Sequence, residues 1–230
     1  MKLYELGGVD GRRYSSFSWR TRMALAHKGI AFESCPVRIS DKAAIAFSGQ
    51  GKVPILQDGD TVVADSWKIA EYLEQKYPDA PLFGGPIGTG TARLINAWAD
   101  RQLLGMLAAA NAGDIVEVVD AGDAAHLTAG FETGFGKPLA ELKAGQEAGL
   151  KRFRQALDPL RATLRGQPFI CGAAPAYADY IVFSLLQWAR VTSPVPALEE
   201  GDAVGAWFER LLDAHGGMGR SQAARAGAVQ

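Results

Sequence analysis

The sequence predicts an α/β unit over residues 1–78, a connection over 79–90, and an all-α unit over 91–230. Three observations carry this. Strand-type and helix-type patterns alternate through the first 76 residues, and Pro and Gly are concentrated after Tyr77. Beyond that point the apolar residues recur at helical spacings, with no further β-branched run.

The elements follow in order. Leu3–Leu6 reads as a short strand, and Gly7–Tyr14 as a polar loop. Ser16–Lys28 reads as a helix with Phe17, Met23, Leu25 and Ala26 as its apolar stripe and Gly29 as terminator. A second extended segment runs from Ile30 to about Val37. Val53–Leu56 and Thr61–Ala64 flank Asp58-Gly59-Asp60, a strong hairpin signal. Asp65-Ser66 opens a helix in which Ile69, Tyr72 and Leu73 share a face, ending near Tyr77-Pro78. Helical patterns then cover Arg93–Asn111, Leu139–Leu164, Tyr177–Val191 and Ala203–His215. The Gly-rich stretch Gly113–Gly136 reads as an irregular or mobile hairpin. The tail from Gly216, small and polar, reads as loosely held.

Composition narrows the function. Charged residues are 21% of the chain and the formal net charge is −1, so no electrostatic case for nucleic acid exists. An uncharged run from Leu103 to Gly113 is too short to span a bilayer, which takes about 20 residues. The N-terminus lacks the long apolar core of a secretory signal, so a soluble, cytoplasmic protein is expected. Cys35 and Cys171 lie far apart, and His27, His126 and His215 form no sequence cluster. Reduced thiols and no metal site are expected.

Two features point to a ligand. Pro54 opens a strand although proline cannot donate a ladder hydrogen bond. If Val53–Pro54 is cis, Val53 presents its main-chain N–H and C=O outward; an ordinary edge-strand proline is the plainer alternative. Asp65-Ser66 sits at a helix start, where unpaired N–H groups and the positive dipole end favour a carboxylate. A simple N-cap would also explain either residue.

Lys52-Val53-Pro54-Ile55-Leu56, the hairpin, and Asp65-Ser66-Trp67-Lys68-Ile69-Ala70-Glu71-Tyr72-Leu73 together resemble the glutathione transferase superfamily over essentially the whole chain. The resemblance implies a thioredoxin-like first domain, a helical second domain and glutathione as co-substrate. It implies that Val53 pairs with the cysteinyl backbone of glutathione as an added strand. Ser66 would take the γ-glutamyl carboxylate, Asp65 would help hold the α-amino group, and Lys52 would reach the glycyl carboxylate. Gln50, Arg38 and Lys42 are weaker candidates for that last task, and Lys52 also reads as a solvated surface lysine.

Tyr14-Ser15-Ser16-Phe17-Ser18-Trp19 resembles the entrance to the first helix in serine-type transferases. That register gives Ser15 the catalytic place, with Ser16 standing where proline is common; Ser16 and Ser18 stay open as alternatives, and Tyr14 is a weaker one. The hydroxyl would stabilise a thiolate rather than attack. Phe17 and Trp19 are placed to line a hydrophobic-substrate site, with Trp98, Met106 and Trp188 as further candidates. Ala174–Tyr180 resembles the start of the family's central buried helix, with Ala176 in the usual Ser/Thr cap position ahead of Asp179. Trp19–Gly29, Asp65–Leu73 and Ala178–Arg190 look most like the bacterial β-etherase and fungal ether-fumarase-A-related group. This implies attack on hydrophobic, aromatic electrophiles, with β-aryl ether cleavage as one form. A homodimer is expected by analogy, and a non-catalytic glutathione-dependent carrier of apolar ligands is the alternative.

Overall fold

A computed structural model describes residues 1–226. Its first unit comprises β1 (Lys2–Leu6), α1 (Ser16–His27), β2 (Glu33–Val37), β3 (Ile55–Asp58), β4 (Thr61–Ala64) and α2 (Ser66–Lys76). The sheet order is β2-β1-β3-β4. β1 and β2 are parallel, as the α1 crossover permits, while β1–β3 and β3–β4 are antiparallel. Gly59 takes φ 59° in the tight turn that pairs Asp58 with Thr61. Pro36 is tolerated because β2 is an edge strand. Glu5 of β1 is fully buried, and Arg22 of α1 grips it through two nitrogens at 2.7 and 2.5 Å. Ser34 of β2 donates to the same carboxylate at 2.5 Å. One buried acid thus ties α1 to two strands.

The second unit is helical: α3 (Pro86–Trp98), α4 (Leu104–Ile115), α5 (Ala121–Phe135), α6 (Leu139–Ala144), α7 (Gln146–Ala156), α8 (Asp158–Leu164), α9 (Tyr177–Thr192) and α10 (Ala203–Gly217). Four sequence expectations are corrected. α3 begins at Pro86, whose missing N–H costs nothing in a first turn, so helix starts inside the expected 79–90 connection. The helix expected over Arg93–Asn111 carries a π turn at Ala99–Leu103, where Leu104 N–H reaches back to Ala99 C=O. Leu139–Leu164 is three helices, broken at Gly145 and ahead of Pro159. Gly113–Gly136 is ordered: α4 runs through Ile115, and Asp120 caps α5 by accepting from Gly122 and Asp123 N–H at 3.0 and 3.1 Å.

The tail is also held rather than loose, as far as it is described. Gly219 is buried against α10, where a Cβ would lie 2.9 Å from Leu212 Cα. Arg225 donates to the C=O groups of Asp114 and Thr192 at 2.8 and 2.7 Å.

α9 forms the centre of this unit and is buried along nearly its whole length. Its first turn has no side-chain acceptor at Ala176, as the sequence predicts. Asp179 compensates. Its N–H bonds to Ala176 C=O at 3.0 Å, and its carboxylate accepts from Ala176 N–H at 3.2 Å. The same carboxylate accepts from Ile170 N–H at 2.7 Å, Cys171 N–H at 3.2 Å and Trp207 Nε1 at 2.9 Å. Burial raises its pKa, while the donors from Trp207 and the backbone pull the other way. Asp179→Ala orphans four N–H groups, three of them on half-buried backbone and one on the buried Trp207 indole. It should destabilise the fold by about 3 kcal/mol or more, read as a lower urea midpoint at unchanged slope. An unchanged midpoint would contradict this account.

Candidate functional site

Topology gathers three segments at one end of the sheet. β1 runs into the Gly7–Tyr14 loop that leads to α1. β3 is antiparallel to it, with Tyr4 opposite Ile55, so the residues before β3 lie beside the residues after β1. β4 returns beside β3, with Ala64 opposite Ile55, and feeds α2. Ser15, Val53 and Asp65-Ser66 therefore share one edge of the fold.

The serine segment separates into distinct environments. Ser15 is the N-cap of α1 and its Oγ accepts from Ser18 N–H at 3.2 Å. A hydroxyl that accepts a capping bond keeps its own proton to donate. Ser16, in the first turn, is nearly buried, and its side chain makes no hydrogen bond among the described residues. Ser18 is different: its Oγ is buried and has no partner among the described residues, so it faces the interior. The Tyr14 hydroxyl is likewise buried without a partner, and burial, with Asp123 and Asp120, raises its pKa. Neither group is open to a ligand thiol.

Trp19 also departs from expectation. It is fully buried in the core, and its indole N–H is taken by Arg13 C=O at 2.9 Å. It lines no open face. Trp188 is buried as well, whereas Phe17, Trp98 and Met106 are half-buried. The Arg20 guanidinium lies over the Phe17 ring, 4.8 Å from its centroid.

On the opposite side of this edge, the Val53–Pro54 peptide is cis. Pro54 C=O accepts from Asp65 N–H at 3.2 Å, while Val53 makes no backbone hydrogen bond among the described residues. Asp65 has φ 81°, a conformation a side chain disfavours, and it is held from both directions. Its Oδ1 accepts from Trp67 and Lys68 N–H at 3.0 and 3.1 Å, leaving Oδ2 without a hydrogen-bond partner among the described residues. Asp65 is thus a cap with one oxygen to spare. Ser66 is 3% exposed, and neither its N–H nor its hydroxyl has a partner among the described residues. Its C=O accepts from the Tyr177 hydroxyl at 2.8 Å. An unpaired helix N–H beside an unpaired hydroxyl suits a carboxylate.

The basic candidates sort by engagement. Lys42 donates to Gly51 C=O at 2.9 Å, and Arg38 pairs with Asp120 at 3.2 Å. Gln50 is exposed. Lys52 is exposed with no ion pair among the described residues.

A feature the sequence did not announce lies beside α2. A cavity of about 410 Å³ is lined by Trp67, Arg93, Asn96, Ala97, Asp100 and Arg101. Asp100 and Arg101 stand in the π turn, whose extra residue no apolar spacing encodes. The two thiols offer no rival chemistry. Burial and nearby carboxylates raise the pKa of Cys35 and push Cys171 up to about 12, leaving little thiolate at neutral pH. Among the described residues no group of three or more His, Cys, Asp or Glu could hold a metal ion, and no helix is long and apolar enough to cross a membrane.

Comparison with known proteins agrees with the fold. Residues 14–76 match the family model of the glutathione S-transferase N-terminal domain, and residues 90–213 that of the C-terminal domain. Glutathione S-transferase Z1 of Arabidopsis thaliana is 42% identical over 73 residues, covering 30% of this chain and 33% of that protein. The match thus spans about a third of that relative's length. A glutathione S-transferase-like protein, ustS, of Aspergillus flavus is 28% identical over 212 residues, covering 78% of this chain and 75% of the relative. The crystal structure of glutathione transferase GSTFuA3 from Phanerochaete chrysosporium superposes with a TM-score of 0.76 at 22% identity, over 96% of this chain and 93% of that one. A glutathione S-transferase of Ceriporiopsis subvermispora, in complex with glutathione, gives 0.75 at 18% identity, over 96% and 94%. At these identities the likeness is one of fold.

Ser18→Ala removes a buried hydroxyl that bonds to none of the described residues. It should leave stability within about 0.5 kcal/mol or raise it. Glutathione affinity measured by calorimetry should not change. A loss of affinity or turnover would return Ser18 to the site.

Proposed function

Because this chain belongs to the glutathione S-transferase family, we propose that it binds glutathione along the shared sheet edge and activates its thiol through the Ser15 hydroxyl. The observation that carries the reading is the convergence there of unused hydrogen-bonding groups: the Ser15 O–H, the Val53 main chain, Asp65 Oδ2 and the Ser66 N–H and hydroxyl. They match a ligand with a thiol, an extended backbone, an α-amino group and a carboxylate. Val53 receives the cysteinyl backbone as an added strand. Ser66 takes the γ-glutamyl carboxylate, and Asp65 Oδ2 the α-amino group. Lys52, exposed and without an ion pair among the described residues, meets the glycyl carboxylate.

The chemistry follows from a pKa. A free thiol ionises near 8.5 and is mostly protonated at neutral pH. An O–H donated to the sulfur stabilises the anion, and the α1 N-terminus adds to it. Each unit of lowering corresponds to about 1.4 kcal/mol. The thiolate then attacks an electrophilic carbon. Of the two serine hydroxyls nearest the helix entrance, Ser15 is favoured because its capping bond fixes the oxygen while leaving the proton free.

The substrate class we infer is hydrophobic and aromatic, with a β-aryl ether as the first compound to test. Support comes from half-buried Phe17 beside the serines and from the residue pattern of α1, α2 and α9. We also propose a homodimer. α3 leaves Ile87 88% and Leu94 69% exposed, seven residues apart and so on one face.

Ser15→Ala tests the assignment against a panel of aryl ethers, alkylating electrophiles and isomerisable substrates. Glutathione affinity should stay within about threefold while turnover falls about tenfold or more, and the bound thiol's pKa, followed by thiolate absorbance, should rise by about one unit. Unchanged turnover would move the role to Ser16. Clear glutathione binding with no thiol consumed or substrate isomerised would favour a carrier.

A further inference from the structure

We propose that the connection from α4 into α5 is a brace that holds the two halves of the site at their working separation, and that Asp123 is its positioning residue. The inference rests on the glutathione reading above.

Asp123 stands in the first turn of α5 and is fully buried. Its Oδ2 accepts from Ile39 N–H and its Oδ1 from Ser40 N–H, both at 2.9 Å. Each oxygen is thus committed to the main chain of the other domain. A buried carboxylate is costly unless its lone pairs are met, and charge-assisted bonds to backbone donors are among the stronger ones. Arg38 adds an ion pair to Asp120 at 3.2 Å. These contacts seize the start of the segment that leaves β2 and ends at Lys52-Val53-Pro54. Within the first domain that segment is anchored by Ile45, which packs with Val37 and Ile55, and by the Phe47 ring, 4.8 Å from that of Tyr4. Its only regular element is a 3₁₀ turn over Ala43–Ser48, and among the residues of that turn Ile45 alone is fully buried.

The same connection holds the serine arm. Val118 C=O accepts from Val9 N–H at 3.0 Å, in the loop that runs from β1 to Ser15. Contact here is close: a Cβ on Gly8 would lie 2.3 Å from Val118 oxygen and 3.2 Å from Tyr14 Cδ1. Glycine is needed for that approach. Residues 118–123 therefore touch the loop that delivers Ser15 and the loop that delivers Val53, which belong to different strands. The sheet sets the bases of the two loops, since Leu6 pairs with Val37 and Gly7 N–H bonds to Val37 C=O at 3.0 Å. Farther out, no described hydrogen bond joins residues 8–15 to residues 38–54, and the tie between them there comes from the second domain. α5 in turn depends on this docking, since Gly122, Gly130 and Gly134 weaken it as a free helix.

The test compares the wild type with Asp123→Ala and Asp123→Asn. Calorimetry gives glutathione affinity, and kinetics give KM for glutathione and kcat. Asp123→Ala should weaken glutathione binding about tenfold or more and raise that KM in step, with kcat at saturation changed far less; Asp123→Asn, which keeps one acceptor, should fall between. A lower thermal midpoint with unchanged glutathione affinity would mean a merely structural residue and overturn the proposal. Should the variants fail to fold, hydrogen exchange on the wild type decides. Saturating glutathione should slow exchange at Ile39, Ser40 and the first turns of α5 together, because coupling is reciprocal. Protection of the 38–54 segment with none in α5 would overturn the brace alone. No glutathione binding by the wild type would overturn both the brace and the functional reading.

Discussion

The Arg20 guanidinium is 1% exposed and cannot shed its charge, so the structure must supply partners for it. Beyond the Phe17 ring of α1, its hydrogen-bond partners among the described residues all come from the second domain. Asp100 accepts at 2.7 Å, Asn96 at 2.9 Å, and Ser184 of α9 at 3.2 Å. Asn96 also donates to the other oxygen of Asp100 at 2.8 Å, which orients the pair. α1 therefore buries its inner face only when α3 and α9 are in place. Since Ser15 caps that same helix, the position of the proposed thiol donor is fixed by a cation five residues along the chain. The π turn matters here because it contains Asp100.

Further bonds across the seam extend this dependence. The Tyr177 hydroxyl holds Ser66 C=O, so the first residue of α9 touches the first residue of α2. The Tyr180 hydroxyl bridges His27 of α1 at 2.6 Å and His215 of α10 at 2.7 Å. Burial lowers the pKa of both imidazoles, to about 4 for His215, where His27 adds to the effect. Both are neutral near pH 7, which suits a hydroxyl that donates to one ring and accepts from the other. The glutathione edge is built by the first domain and positioned by the second.

Much of this was legible in the sequence where the signal is local. The Asp58-Gly59-Asp60 hairpin, the proline before β3 and the Asp65 cap each rest on a few adjacent residues, and their short-range physics leaves few options. What failed did so for long-range reasons. Gly122, Gly130 and Gly134 argue against a helix, yet α5 forms because Asp123 docks on a loop 83 and 84 residues away. Aromatic character placed Trp19 on a substrate face, but the turn of α1 points it into the core. Ser18 resembled its neighbours in sequence and differs only in which way the helix faces it. The missing cap hydroxyl at Ala176 was correctly read, while its compensation by backbone and by Asp179 needed partners from Ile170, Cys171 and Trp207. The cavity beside α2 takes Asp100 and Arg101 from a π turn, which has no period to read.

The claim at the centre is that one sheet edge holds glutathione, with its sulfur at Ser15. A crystal structure of the wild-type protein with glutathione tests it most directly. The sulfur is expected about 3.0–3.5 Å from Ser15 Oγ, the cysteinyl backbone paired with Val53, and the γ-glutamyl carboxylate on the Ser66 N–H and hydroxyl. Glutathione bound elsewhere, or bound here with its sulfur against Ser16 and away from Ser15, would contradict it.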